Sequence, residues 1–235
     1  MNSKDIQRIA VIGAGQMGHQ IGMLCALGGY ETIIQDMNEQ SLIDAKDKLE
    51  AIIGKWVQKG KISFEAKEAA FRRLSFTNTL KEAVSSADFV IEAVVEKLDV
   101  KQSVFKEIDE YAPSHAILAS NSSTIVNSLI ASATNRPEQI VNMHFFFPPL
   151  VMDCVEVVMS EKTSKKTAQT TMNVCKQINR TAVLLKKEIS GFIANRILGA
   201  LQKEAVSFMK MDTQILKTLI RFVKKRSITR SVLLN

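Results

Sequence analysis

Ile9-Ala10-Val11-Ile12-Gly13-Ala14-Gly15-Gln16-Met17-Gly18 is the stretch that decides the fold. An apolar run ends in Gly-x-Gly-x-x-Gly and passes into a helical pattern. Gly13 lets the chain leave a strand in a tight turn. Gly15 lets the backbone approach a pyrophosphate with no Cβ in the way, and Gly18 lets the new helix lie close on the sheet. The free N–H groups of that helix's first turn then face the phosphates, so Gly13, Ala14, Gly15, Gln16, Met17 and Gly18 are the predicted cofactor cradle. The motif alone is weak, because glycines cluster in ordinary turns. Its context is stronger: a strand is predicted over 9–12, a helix over 16–27, and a second strand over 30–35 that ends at Asp36, an acid at the right distance for a dinucleotide ribose.

Working outward, the chain keeps alternating. A long helix is predicted over 39–58, with Leu42, Ala45, Leu49, Ile52, Ile53 and Trp56 as its apolar stripe, and a second over 63–74. Strands follow at 75–77, 88–95, 116–119, 140–147, 154–159 and 181–185. Helices lie between them at 80–85, 99–111, 125–133 and from Thr163 or Ser164 to 178. This is the pattern of an α/β protein with a doubly wound, Rossmann-type, mostly parallel sheet. The alternation stops near Lys186-Lys187, and a long helix is predicted over 192–209. The expected division is a dinucleotide-binding domain over 1–187 and a short, incomplete all-helical domain over 188–235.

Composition narrows the class. The 235 residues are 46% hydrophobic, enough to bury a core. No apolar run is long enough for a signal peptide or a bilayer span, and three scattered cysteines (Cys25, Cys154, Cys175) read as reduced core residues, so a cytoplasmic protein is expected. No residue spacing suggests a metal site. The net charge is +7, but Lys210, Lys217, Arg221, Lys224, Lys225, Arg226 and Arg230 against Asp212 place six of those charges in the tail. The body is nearly neutral, which argues against nucleic acid as a partner. Residues 215–223 have the pattern of a basic amphipathic helix. No membrane partner is assigned to it.

In an open α/β sheet, ligands sit beyond the carboxyl ends of the strands. The polar residues predicted there are Asp36, Glu96, Ser123 and His144, with Asn195 at the start of the last helix. His144 lies in an apolar run, where a satisfied core histidine is the plainer reading. Glu156, embedded in Cys154-Val155-Glu156-Val157-Val158, changes that. An unpaired carboxylate there would be costly, and two buried ionisable groups on neighbouring strands satisfy each other. A His–carboxylate pair is a general base with its orienting partner. Beside a dinucleotide cradle it points to metal-free alcohol–ketone chemistry. His19 and His115 read as structural or exposed.

These residues carry a resemblance. GAGQMGHQI (13–21), DFVIEAVVE (88–96), LASNSS (118–123), MHFFFPP (143–149), VEVV (155–158), TSKKT (163–167) and GFIANRIL (191–198) occur here in the order of the 3-hydroxyacyl-CoA dehydrogenase family, and the chain most resembles its bacterial 3-hydroxybutyryl-CoA branch. The resemblance implies NAD as cofactor, with Asp36 on the adenosine ribose, and an acyl-CoA substrate within fatty-acid and butanoate metabolism. It implies His144 as catalytic base and acid with Glu156 as its partner. Ser123 falls on the reacting oxygen and beside the cofactor, Asn195 on the substrate, and Glu96 and Lys101 near the nicotinamide. Lys59 aligns loosely with a coenzyme A contact. Each also has a structural reading: Ser123 as a helix cap, Asn195 as a surface amide, Lys101 and Lys59 as solvated charges.

The chain departs from the family in three places. Phe147 replaces the usual asparagine of HFFNP. Ser122 replaces a threonine. Past Met211 the family's motifs fail, so the helical domain is expected to be cut short and the family's homodimer weakened or lost. The sequence leaves two rivals open: an NAD-binding remnant with little turnover, and a related dehydrogenase of a free hydroxy acid.

Overall fold

The computed structural model describes residues 6–211, together with Thr218. The predicted helix over 215–223 and nearly all of the basic tail lie outside the described residues. The chain divides into two compact units, Met1–Ser190 and Gly191–Asn235.

The first unit is an eight-stranded sheet. Its strands are β1 (Arg8–Ile12), β2 (Glu31–Gln35), β3 (Leu74–Thr77), β4 (Phe89–Glu92), β5 (Ile117–Ser120), β6 (Ile140–Phe145), β7 (Cys154–Val158) and β8 (Thr181–Leu185). Their order in space is β3-β2-β1-β4-β5-β6-β7-β8. Pairing is parallel from β3 through β6; β7 runs antiparallel to β6, and β8 is parallel to β7. The strand order reverses between β1 and β4, the switch point where such sheets open a ligand crevice.

The helices are α1 (Gly18–Leu27), α2 (Glu39–Gln58), α3 (Phe64–Arg72), α4 (Leu80–Val84), α5 (Leu98–Tyr111), α6 (Asn127–Ala131) and α7 (Lys165–Gln177). Alternate residues of β1 point to opposite faces of the sheet. Ile9 and Val11 join a core with Ile21, Leu49 and Val174, whereas Ala10 and Ile12 join a second core with Val84, Phe105 and Ile130. Both faces are therefore covered by helices, which is why the central strands read as nearly unbroken apolar runs.

Several boundaries differ from the sequence expectation for local reasons. Ser164 is the N-cap of α7, accepting from the Thr167 amide, while the Thr163 hydroxyl turns away to the carbonyl of Ile140. Strand β4 stops at Glu92, so Glu96 lies in the following loop rather than at a strand end. Helix α6 is only five residues long, because Ser122 and Thr124 hold the preceding segment as a hydroxyl-bonded turn. All three cysteines are free; burial pushes the Cys175 thiol up to about 12, too high for reactivity at neutral pH. Among the described residues no helix is long and apolar enough to cross a membrane.

In the second unit, α8 (Ala194–Met211) carries a half-buried Asn195 in its first turn and leaves Ile197, Leu198, Leu201 and Val206 exposed.

Candidate active site

The turn between β1 and α1 is built around its glycines. Gly13 has φ +102°, and a Cβ there would stand 2.7 Å from the carbonyl oxygen of Ala93. At Gly18 a Cβ would fall 1.7 Å from the Gly13 carbonyl oxygen. Gly15 is different: nothing lies within 4 Å of where its Cβ would be. Two glycines are packed shut and the third faces open space, with the start of α1 beside it carrying neither a side-chain cap nor an acid. That is the shape and charge a pyrophosphate requires. Asp36 closes the turn, its Oδ2 accepting from the Ala14 amide at 2.9 Å and its Oδ1 from the Asn38 amide at 3.0 Å. His19 is buried against the turn, with Nδ1 2.5 Å from the Gly15 carbonyl oxygen. Burial holds its pKa below the ordinary histidine value.

The second cluster occupies the carboxyl ends of β4 and β5. Lys101, for which the sequence allows a solvated position, is 1% exposed. Its ammonium donates to Glu92 Oε1 at 2.6 Å and lies 3.3 Å from Glu96 Oε2. Glu92, fully buried, also accepts from the Val94 amide and, through Oε2, from the Ser120 hydroxyl at 2.6 Å. Glu96 Oε1 accepts from the Ser122 hydroxyl and from the Ser123 and Thr124 amides. Partial burial pushes the Glu96 carboxyl up, but the Ser122 hydroxyl, Lys101 and Thr124 outweigh it and hold its pKa below the ordinary 4.5.

A carboxylate depressed in the folded state stabilises the fold fully above its unfolded pKa. That contribution disappears as pH falls through the lower folded value. Glu96→Gln is therefore expected to lower the melting temperature at pH 7 by a margin that closes between about pH 5 and pH 3. A margin independent of pH would contradict the charged hydrogen bonds described here.

On the far side of the crevice, His144 and Glu156 sit directly opposite each other in the antiparallel β6–β7 pair. The Nδ1 of His144 is 2.9 Å from Glu156 Oε2, and both side chains are buried. The Phe146 ring lies 4.8 Å from the imidazole, and the end of β6 is fixed by Asn121, whose Oδ1 accepts from the Phe145 amide. Phe147 is 60% exposed, on the residue just beyond this wall. Ser123 is half-buried in the turn that Glu96 ties down. Asn195 belongs to the second unit. Lys59 is exposed at the C-terminus of α2, about 30 Å along that helix from Asn38.

The family description "3-hydroxyacyl-CoA dehydrogenase, NAD binding domain" matches residues 8–189. The chain is also 36% identical over 202 residues to a probable 3-hydroxybutyryl-CoA dehydrogenase of Bacillus subtilis, covering 86% of this chain and 70% of that protein. The chain belongs to the 3-hydroxyacyl-CoA dehydrogenase family. Residues 8–189 thus form an NAD-binding domain, in a family of NAD-dependent oxidoreductases.

Solved structures agree in fold. The 3-hydroxybutyryl-CoA dehydrogenase of Escherichia coli K12 superposes with a TM-score of 0.85 at 30% identity, over 88% of this chain and 43% of that one. This chain spans less than half of that protein. An NAD+-dependent 5-formyl-3-hydroxy-2-methylpyridine 4-carboxylic acid 5-dehydrogenase gives a TM-score of 0.85 at 30% identity, over 97% of this chain and 72% of that one.

In the cluster at the ends of β4 and β5, the residue that the sequence expectation leaves out is Glu92. The signal is there: an ionisable group in the apolar strand Phe89-Val90-Ile91-Glu92 demands a buried partner, as Glu156 does.

Proposed function

We propose that this protein interconverts a (3S)-3-hydroxyacyl-CoA and the 3-oxoacyl-CoA, with His144 as general base and acid and Glu156 as its orienting partner. One observation carries the reading. A buried histidine–carboxylate pair stands at the carboxyl edge of the same sheet whose β1–β4 switch point carries the glycine cradle. NAD, when bound, supplies the hydride acceptor. With Nδ1 directed at Glu156, the proton of the 3-hydroxyl passes to Nε2 as the C3–H electron pair leaves, and the carboxylate stabilises the imidazolium that forms. In the reverse direction Nε2 returns the proton to the new alkoxide. Ser123 is assigned to the reacting oxygen, Glu96 and Lys101 to the nicotinamide side, and Asn195 and Lys59 to the acyl-CoA.

The test is loss of NADH absorbance with acetoacetyl-CoA and purified protein. Turnover that depends on the coenzyme A ester supports the reading. NADH binding without turnover replaces it with a dinucleotide-binding protein that does no chemistry on acyl-CoA. A second reading, a free carboxylic-acid substrate, is favoured by the fold's match to the pyridine-carboxylate dehydrogenase. Reduction of free acetoacetate at a rate equal to its coenzyme A ester would select it.

Asp36 is assigned to the adenosine ribose, where its charge opposes a 2′-phosphate. Asp36→Ser is expected to raise the dissociation constant for NADH about tenfold, the loss of charge-assisted hydrogen bonds, and to narrow the gap between NADH and NADPH. Fluorescence titration reads both constants, and an unchanged NADH affinity would contradict the assignment.

A further inference from the structure

The hydrogen bonds around Glu92 form a closed ring. Lys101 Nζ bridges Glu92 Oε1 and Glu96 Oε2. The Ser122 hydroxyl donates to Glu96 Oε1, the Ser122 amide donates to Ser120 Oγ at 3.2 Å, and the Ser120 hydroxyl donates back to Glu92 Oε2. The ring ties the end of β4, the start of α5 and the turn after β5 into one unit. Only Glu92 touches both the cation and the serine side from a position with no solvent exposure. The loop it anchors, residues 93–97, also abuts the cradle: the Ala93 amide donates to the Ile12 carbonyl, and the Ala93 carbonyl is what a Cβ at Gly13 would strike.

We propose that Glu92 is a positioning residue for the nicotinamide half of the dinucleotide. Asp36, at the end of β2, assigns the adenosine half to the β1–β2 side of the switch point, which leaves β4 and β5 for the other half. Glu92 touches no ligand there. It neutralises the buried ammonium of Lys101, so that Glu96 keeps its hydrogen bonds to the Ser122–Thr124 turn. Without the Glu92 charge, the ammonium has Glu96 as its remaining carboxylate and draws it off that turn. A buried charge that loses a partner seeks another. The inference rests on the NAD cradle and not on acyl-CoA turnover, so failure of the acetoacetyl-CoA assay would leave it standing.

The experiment compares two ligands on Glu92→Gln by equilibrium titration: NADH, which has the nicotinamide, and ADP-ribose, which lacks it. The expected result is a tenfold rise in the NADH dissociation constant with ADP-ribose within twofold of wild type. A general loosening of the domain would weaken both ligands in proportion, and that outcome, or no change in either, would overturn the proposal. Should Glu92→Gln not fold, Glu92→Asp, which keeps a buried carboxylate but shortens its reach to the Lys101 ammonium, carries the same comparison. Wild-type affinity for both ligands in Glu92→Asp would equally overturn it.

Discussion

His144→Gln is expected to lower acetoacetyl-CoA-dependent NADH oxidation by about a thousandfold, within the range that a positioned proton donor contributes. Its NADH dissociation constant should stay within twofold of wild type. Glutamine is the informative replacement. It is close in size to histidine and its amide can still donate toward Glu156 Oε2, 2.9 Å from the present Nδ1. The buried carboxylate therefore keeps a hydrogen bond, and the β6–β7 pair keeps its packing. What is lost is the imidazole nitrogen assigned to take and return the proton. A thermal melt close to wild type alongside the drop in rate separates chemistry from folding. Turnover within tenfold of wild type would remove His144 from the mechanism and with it the reason to assign Glu156 a role.

The His144–Glu156 pair is legible in the amino-acid sequence because its physics is local to two short strands. An ionisable residue in each of two apolar runs needs a partner, and adjacent strands supply one. The cradle is legible because only glycine tolerates φ +102° with a carbonyl 2.7 Å from its missing Cβ. The Glu92–Lys101–Glu96 ring is not, although all three residues lie within ten positions. Its closure depends on Ser120 and Ser122, which reach β4 only because β5 pairs beside it. Sequence spacing does not reveal that neighbour. The position of Glu96 is hidden for a related reason: the run Asp88 to Val95 reads as one strand, yet β4 ends at Glu92, where its carboxylate accepts from the Val94 amide and turns the chain. From composition alone Lys101 could equally be solvated, because lysine mostly is; two carboxylates reverse that preference.

The sharpest separation of fold from cofactor binding comes from two alanine substitutions three residues apart. At Gly18 the added methyl would lie 1.7 Å from the Gly13 carbonyl oxygen, a backbone atom, with the Ala93 side chain 3.6 Å away. Nor can α1 retreat, because nine of its ten residues are buried. Gly18→Ala must therefore deform the turn. The expected cost is about 3 kcal/mol, at the upper end for overpacking, which corresponds to a fall of about 10 °C in melting temperature for a domain of this size. NADH binding should fall with it. Gly15→Ala meets nothing within 4 Å, so the melting temperature of the free protein should stay within about 2 °C of wild type. The open side of Gly15 is nonetheless where a pyrophosphate would meet the backbone. Loss of those charge-assisted hydrogen bonds should raise the NADH dissociation constant about a hundredfold. One glycine then serves the fold and the other serves the ligand. If Gly15→Ala bound NADH as wild type does, the open face of the turn would not be the phosphate site, and the dinucleotide would have to enter the crevice by another route.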